Sequence, residues 1–175
     1  MKLFEQAAAV SPTRLSAPSR TEEGLCFTLR GAPSLATQPE GARPGHPLDW
    51  SSSIRSEHTV SIHFPRYFPA MPIEAFVREP VFHPNAHPDT GFLCLWSVHR
   101  VAHNVLNSIA RVVAVLAWHL RSREPEHVMQ PAAQRWFDSL DPAVGEALLP
   151  LPHAPLPIPY SGLPSAPERW RRRLS

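Results

Sequence analysis

Cys94 is the residue of this sequence best suited to covalent chemistry, because it stands at the end of a loop rich in turn-forming residues. Pro88 presets its own backbone dihedral angle and Gly91 accepts positive φ, so the segment between them favours a turn. A short apolar run, 92–96, then contains the thiol. A cysteine is a useful nucleophile when its pKa, about 8.5 in water, is lowered, or when water is partly excluded while a substrate has access. The sequence therefore predicts thiol chemistry at Cys94.

Histidines on both sides of Cys94 leave a zinc site open as an alternative. His83 and His87 form one H-x-x-x-H pair, and His99 and His103 form another. The first pair contains a proline and so does not present two ligands from one helical face, and the second cysteine of the chain is remote in sequence. We therefore predict neither a metal ion nor a cofactor at this site.

A cysteine hydrolase is a further alternative, since an imidazole beside Cys94 would form the thiolate–imidazole pair of such enzymes. The candidates for that imidazole are His99, His103 and His127. The residues around Cys94 match no protease signature. This interpretation also leaves four residues unexplained, namely Pro69, Pro72, Asn85 and Gly91.

The elements that must position the loop are strands before it and a long helix after it. Residues 57–64 alternate between apolar and polar side chains, which is typical of a half-buried antiparallel strand. His58 and His63 are predicted to face solvent. The predicted inward face consists of Val60, Ile62 and Phe64. Further strands are predicted at 24–31, 53–55 and 73–77.

After Cys94 the apolar residues change to the three- and four-residue spacing of helices. The segment 104–121 begins with an N-cap residue, Asn104, and a second helix begins at Pro131. A short helix is predicted over 3–10. Trp118 is predicted at the edge of the long helix's apolar face. The predicted buried side chains of the two later helices are Val105, Ile109, Val112, Val113, Leu116, Leu120, Ala133, Trp136, Phe137 and Leu140.

Together these elements predict an α+β fold, in which an antiparallel meander of about four strands packs on a long central helix. A short second C-terminal helix follows. Residues 1–150 are predicted to form one domain, and residues 151–175 a proline-rich tail that ends in arginines and favours extended structure. The segment 32–49, rich in proline and glycine, is predicted to be an irregular loop.

The composition excludes several classes of function. A net charge of only +2 gives no broad field for nucleic acid or a membrane surface, and no apolar run approaches the roughly 18 residues of a membrane span. Two cysteines make no disulfide framework, so a reducing compartment is expected, with Cys26 as a small buried side chain. We predict a soluble cytoplasmic protein that binds neither nucleic acid nor membrane.

The order and spacing of these motifs resemble the core of the ubiquitin-conjugating (E2) enzymes. An Ile-x-Phe-Pro segment leads to a second Phe-Pro and a third proline, then to His-Pro-Asn, and finally to a glycine and Leu-Cys-Leu. The similarity covers about residues 57–140, roughly half of the chain. The residues that carry it are Ile62, Phe64, Pro65, Phe68, Pro69, Pro72, His83, Pro84, Asn85, Gly91, Leu93, Cys94 and Leu95.

The resemblance implies a UBC-like fold and a transferase activity. Cys94 would accept the C-terminal carboxyl group of a ubiquitin-like modifier as a thioester, which an amine of a target protein would then attack. Asn85 would either stabilise the resulting oxyanion or support the loop, and both roles stay open. His127 and Glu126 are the candidate bases, in a connector that also contains Glu124. The structural residues of the loop would be His83, Pro84 and Gly91.

The chain lacks the Ser-Pro motif that the family usually has after its cysteine, and its proline-rich end replaces further helices. In this it looks more like bacterial E2-like proteins encoded beside ubiquitin-like modifiers, some of which act in anti-phage defence. The partners implied are a ubiquitin-like modifier, an E1-like activating enzyme, a target such as a phage structural protein, and a JAB-type deconjugating peptidase. Transfer without a separate ligase is predicted. A non-catalytic E2-variant scaffold that binds a modifier stays open as the alternative.

Overall fold

A computed structural model describes residues 2–39, 53–97, 104–122, 124–153 and 156. These residues form a mixed α/β fold with a five-stranded antiparallel sheet, in which each strand pairs with the next along the chain. The strands are β1 (Ser19–Arg20), β2 (Gly24–Leu35), β3 (Ile54–His63), β4 (Glu74–Val77) and β5 (Phe92–Leu93). The helices are α1 (Lys2–Val10), α2 (Val105–Leu116), α3 (Pro131–Asp138) and α4 (Pro142–Leu148), and a 3-10 turn spans Pro125–His127.

The two longest strands, β2 and β3, bring their apolar residues to the inner face of the sheet. Their register places Phe27 opposite Val60, and both side chains are buried. The prediction that His58 faces solvent is wrong, since this residue has the same parity as Val60 and is fully buried, with its Nε2 2.9 Å from the carbonyl oxygen of Ala32. The inward placement of Phe64 is also wrong, because this residue lies beyond the end of β3 and is exposed.

Strand β2 is longer than predicted, because the chain leaves the sheet at Leu35 and not at Gly31. It continues past Gly31, which has a φ of +66°, to Leu35, with a shift of register that lets the chain bend. Cys26 is only half-buried because it lies on the outer face of the sheet, so its predicted burial is wrong. The part of the predicted loop from residue 40 to 49 lies outside the described residues, as do residues 50–52.

Helix α2 begins where the sequence predicts and ends earlier. The side-chain oxygen of Asn104 accepts hydrogen bonds from backbone N–H groups of the first turn, and the Asn107 side chain in turn accepts from the Asn104 N–H. The helix ends at Leu116 instead of Arg121, because Trp118 adopts a φ of +63°, which is rare for a side chain of this size. Trp118 therefore turns away from the helix face and is buried elsewhere.

The apolar side chains form two clusters. The first lies between the inner face of the sheet, α1 and α2, and contains the predicted inward residues of α2 up to Leu116. The second is built around Trp118, which the sequence did not place in a core. Its members are Leu35, Phe82, Ala117, Trp118, Ala133, Trp136, Leu149 and Leu151, with Phe137 and Leu140 packed against them.

The C-terminal part of the described chain returns to the domain. Helix α3 begins at Pro131 as predicted, whereas α4 was not predicted, although Asp141 accepts a hydrogen bond from the Ala143 N–H in the manner of an N-cap. The N–H of Leu151 donates to the carbonyl of Ala117, which fixes the start of the tail. Residues 154, 155 and 157–175 lie outside the described residues. None of the described helices has the length and apolar character needed to cross a membrane.

Candidate active site

The loop that leads to Cys94 is closed by short-range hydrogen bonds. The Nδ1 atom of His83 accepts the N–H of Asn85 at 3.0 Å, and the carbonyl of His83 accepts the N–H of Ala86 at 3.0 Å. The N–H of Cys94 then donates to the carbonyl of Asn85 at 2.8 Å. The His-Pro-Asn turn and the segment containing the thiol are thus held side by side.

Gly91 is required by the geometry of this loop. Its φ is +70°, and its carbonyl accepts the N–H of Val77 at 2.9 Å at the end of β4. A Cβ atom at this position would collide with the carbonyl oxygen of Val77. Both the backbone conformation and the close approach therefore exclude other residues, in agreement with a structural role.

Cys94 lines a cleft of about 290 Å³ on the surface of the domain. The residue is only 9% exposed, and this burial raises the pKa of its thiol, while a backbone hydrogen bond with Trp96 acts more weakly in the opposite direction. A thiol with a raised pKa is a slower leaving group, so an acyl group attached to it is lost less readily. Cys94 thus lies at the wall of this cleft and belongs to neither of the two apolar clusters.

Asn85 connects Cys94 to the end of α2. Its Nδ2 donates to the carbonyl of Cys94 at 2.8 Å, and its Oδ1 accepts the N–H of Ser122 at 2.8 Å. The residue is almost fully buried, so both bonds are shielded from water. Asn85 thus joins two segments of the site, and the second hydrogen of its Nδ2 has no partner among the described residues.

The connector between α2 and α3, which is described at residues 122 and 124–130, is bonded to the same turn at its other end as well. The carbonyl of Pro84 accepts the N–H of Met129 at 2.7 Å, and the side-chain oxygen of Gln130 accepts the N–H of His83 at 2.8 Å. The two ends of the connector therefore bind the His-Pro-Asn turn at three successive residues. The contact of Pro84 with the connector is made by its carbonyl group.

The candidate bases in the connector occupy different positions. His127 lines the cleft together with Cys94, and so does Glu124, whose Oε2 lies 2.7 Å from the Nδ1 of His127. Glu126 is exposed on the 3-10 turn and does not line the cleft. The structure thus brings His127 to Cys94 and replaces Glu126 by Glu124 as the nearby carboxylate.

Two arginines also line the cleft, and the sequence analysis did not select either of them. Arg111 stacks on the Trp96 ring, with 4.3 Å between the guanidinium carbon and the ring centroid, and donates to the carbonyl of Leu95 at 2.6 Å. Arg121 lies 3.7 Å above the Phe137 ring. The sequence did contain a signal for Arg111, since it is the only charged residue of helix α2.

His83 is fully buried beside Trp118, with 4.5 Å between the ring centroids. Burial, and secondarily the charge of Arg121, lowers the pKa of this imidazole to about 3. Its Nδ1 already accepts a backbone N–H, as does the Nδ1 of His87. Within the described ranges, no group of three His, Cys, Asp or Glu side chains is close enough to hold a metal ion. His99 and His103 lie outside those ranges.

Comparisons with known proteins show a distant likeness to solved structures and none to a family model. No family model and no curated protein matches the sequence. Among solved structures, the chain is similar to "a putative ubiquitin conjugating enzyme from Plasmodium yoelii", with 15% identity and a TM-score of 0.47, over 82% of this chain and 85% of the other. A likeness of this degree does not identify an activity.

The two thiols of the protein should differ in reactivity. Cys26 is half-buried on the outer face of the sheet, whereas Cys94 is less exposed and has a raised pKa. We expect iodoacetamide to alkylate Cys26 several-fold faster than Cys94 at pH 7.5, with the difference narrowing as the pH rises, because the thiolate is the reacting form (order of magnitude from). Timed alkylation followed by peptide mass spectrometry measures both rates. Faster alkylation of Cys94 at neutral pH would contradict this assignment.

Proposed function

We propose that this protein is an E2-like conjugating enzyme. Cys94 accepts the C-terminal carboxyl group of a ubiquitin-like modifier from an E1-like activating enzyme, and the resulting thioester is transferred to an amine of a target protein. The observation that carries this proposal is the placement of Cys94 on a cleft whose wall is fixed to the Cys94 loop through the amide of Asn85. The motif resemblance supports the choice of acyl donor.

The chemistry needs two exchanges at one sulfur atom. In the first, the Cys94 sulfur bonds to the carbonyl carbon of the modifier while the thiol of the activating enzyme leaves with the proton. In the second, the amine nitrogen bonds to that carbon, the C–S bond breaks, and the thiolate takes up the proton that the nitrogen releases. The free hydrogen of the Asn85 Nδ2 is available to stabilise the oxyanion formed in each exchange.

The raised pKa of Cys94 supports a carrier role. A carrier thioester must survive until the target arrives, and the poorer leaving group slows its loss to water. We propose transfer without a separate ligase, in the cytoplasm, to a target such as a phage structural protein, with a JAB-type peptidase reversing the modification. The motif resemblance is the basis for these partners.

Two other functions are less well supported by the geometry. In a cysteine hydrolase the thiol would contact its base, but the only hydrogen-bond partner that the described residues offer the Cys94 sulfur is the carbonyl of Trp96. A non-catalytic scaffold that binds a modifier requires no thiol on the cleft. A thioester-transfer experiment distinguishes the hydrolase and the scaffold from the transferase.

The test uses a peptide ending in Gly-Gly, supplied as its 2-mercaptoethanesulfonate thioester, followed by free lysine. We expect a reducible acyl adduct on Cys94 that transfers to lysine about 100-fold faster than the same acyl group on glutathione. The adduct at this position should be absent from Cys94→Ala and retained in Cys26→Ala. A Cys94→Lys variant should form an adduct that resists reduction.

Intact and peptide mass spectrometry, at several times after mixing, distinguishes the three functions. If the acyl group passes to lysine no faster from Cys94 than from glutathione, the transferase proposal fails and the non-catalytic scaffold is the function that remains. Rapid release of the free peptide acid, with lysine making no difference to the rate, would establish the hydrolase instead.

A further inference from the structure

Arg111 places a positive charge in the wall of the Cys94 cleft. It is half-buried on α2, and its guanidinium carbon lies 4.3 Å from the centroid of the Trp96 ring. Its Nη1 donates a hydrogen bond to the carbonyl of Leu95 at 2.6 Å. The guanidinium group is therefore held against the two residues that directly follow the nucleophile in the chain.

Most of the hydrogen-bonding capacity of Arg111 is unused. A guanidinium group has five N–H hydrogens, and only one donates to an acceptor in the part of the chain that the structure describes. No carboxylate of that part forms an ion pair with it. Burial lowers the pKa of Arg111, because the charged form has lost part of its hydration, yet arginine keeps its proton at neutral pH. A cation in this condition binds a carboxylate more strongly than an exposed cation does.

The other charges of the cleft do not neutralise Arg111. Arg121, the second arginine, lies 3.7 Å from a carboxylate oxygen of Asp138 and stacks on the Phe137 ring. Among the described lining residues, the only carboxylate is that of Glu124, whose Oε2 lies 2.7 Å from His127 Nδ1 and which forms no ion pair with either arginine. With two guanidinium groups and one carboxylate, the cleft attracts an anionic ligand.

The thioester on Cys94 determines which chain occupies the cleft. The acyl group attached to the sulfur continues into the modifier, and a cleft of about 290 Å³ has room for a short extended segment but not for a folded domain. An extended chain advances about 3.3 Å per residue, so the third and fourth residues from its end lie about 7–10 Å from the thioester carbon. These are the positions from which a side chain meets a guanidinium group bonded to the residue next to Cys94.

We propose that Arg111 makes this protein selective for modifiers that have an aspartate or a glutamate at the third or fourth residue from the C-terminus. The inference rests on the transferase function proposed above and names the substrate class of the same site. The carboxylate accepts hydrogen bonds from the free N–H groups of Arg111 as the tail enters the cleft. Arg111 is thus a specificity-determining residue, which binds the tail and takes no part in either exchange at the sulfur.

The experiment compares short peptides that end in Gly-Gly and differ at one residue. Each is supplied as the thioester of N-acetylcysteamine, an uncharged thiol that does not compete for Arg111. One set carries glutamate, glutamine or lysine at the third residue from the end, and a second set carries them at the fourth. We expect glutamate to acylate Cys94 about tenfold faster than glutamine in at least one set, and lysine to be slowest. Mass spectrometry of the acylated protein gives the rates, and about 1 M salt should reduce the preference.

Variants of Arg111 separate recognition of the tail from support of the loop. Arg111→Gln should lose the preference for glutamate, and Arg111→Lys should keep part of it, because an ammonium group has no planar fork of donors. Arg111→Glu should reverse the order and accept the lysine peptide fastest. Arg135→Gln makes the same charge change at an exposed position of α3 and should behave as wild type. The quantity compared is the ratio of rates between peptides, which a general loss of stability leaves unchanged.

Each outcome decides a separate question. Equal rates for the glutamate and glutamine peptides in both sets, or an unchanged ratio in Arg111→Gln, would overturn the inference while the transferase remains. Equal slowing of every peptide in the variants would assign Arg111 the support of Leu95 and Trp96 alone. If the preference appears only in discharge to lysine peptides that contain a neighbouring glutamate, the carboxylate belongs to the target and the assignment to the modifier is wrong. Failure of every peptide to acylate Cys94 would refute the proposed function itself.

Discussion

Replacing Asn85 with alanine should lower the free energy of unfolding by about 3 kcal/mol. The substitution removes two hydrogen bonds from a side chain that is almost fully buried, and it leaves the N–H of Ser122 and the carbonyl of Cys94 without their partners. Unpaired buried groups of this kind cost about 1–3 kcal/mol each. Urea denaturation at constant pH measures the change. A loss below about 1 kcal/mol would show that the connector does not depend on this amide.

A second substitution at Asn85 distinguishes its two candidate roles, stabilisation of the oxyanion and support of the loop. Asn85→Asp keeps an oxygen that accepts the Ser122 N–H but loses the Nδ2 donor toward Cys94. If Asn85 stabilises the oxyanion, discharge of the acyl group should slow about 100-fold in this variant, a larger fall than its loss of stability accounts for. If it only supports the loop, the rate should fall in proportion to stability in Asn85→Ala and Asn85→Asp alike. Single-turnover discharge beside the denaturation curves makes this comparison.

The parts of the structure that the sequence predicts are those set by neighbours along the chain. The alternation through Val60 and Ile62 places their side chains on the inner face of β3, since strand side chains repeat every two residues. The N-cap of α2 is equally local, because Asn104 and Asn107 are one helical turn apart. The turn before Cys94 was likewise predicted from residues that are close to Cys94 in sequence.

The wrong predictions concern residues whose side-chain chemistry suggests one position while the backbone geometry imposes another. His58 is polar but has the parity of buried residues, and the strand geometry prevails because the carbonyl of Ala32 satisfies one of its ring nitrogens. Trp118 continues the helical pattern, yet the backbone reverses there and places its ring beside His83. A tertiary cluster, which no short segment encodes, decides both its conformation and its burial.

The arrangement of the site depends on contacts that are distant in sequence. Asn85 and Ser122 are 37 residues apart, and nothing in either segment indicates that they meet. The same holds for Pro84 and Met129. Without these bonds the connector has no assigned position, so the sequence offers no basis for choosing between Glu126 and Glu124. Connector residues were identifiable as candidates, but only the fold selects among them.

Acid should destabilise this protein below pH 6.5, with His83 as the largest contributor among the histidines that the structure describes. Burial lowers the pKa of His83 from 6.5 to about 3, so between these values the unfolded chain binds a proton that the folded chain does not. Stability is therefore complete above the unfolded pKa and falls as the pH falls toward about 3. The slope is roughly 1.4 kcal/mol per pH unit, and the full change is on the order of 5 kcal/mol. His58 acts in the same direction, because burial also lowers its pKa.

The His83→Asn variant tests this origin, since the asparagine oxygen is able to accept the N–H of Asn85 but does not titrate. The variant should be less stable than wild type at pH 7.5, because the smaller side chain leaves a gap beside Trp118. Its stability should nevertheless fall less steeply between pH 6.5 and 4, by about one bound proton. His87→Asn, in the same loop and only partly buried, is the control for loss of an imidazole. Equal slopes for wild type and His83→Asn would mean that His83 is protonated in the folded protein, which requires solvent access that the packing around Trp118 denies it.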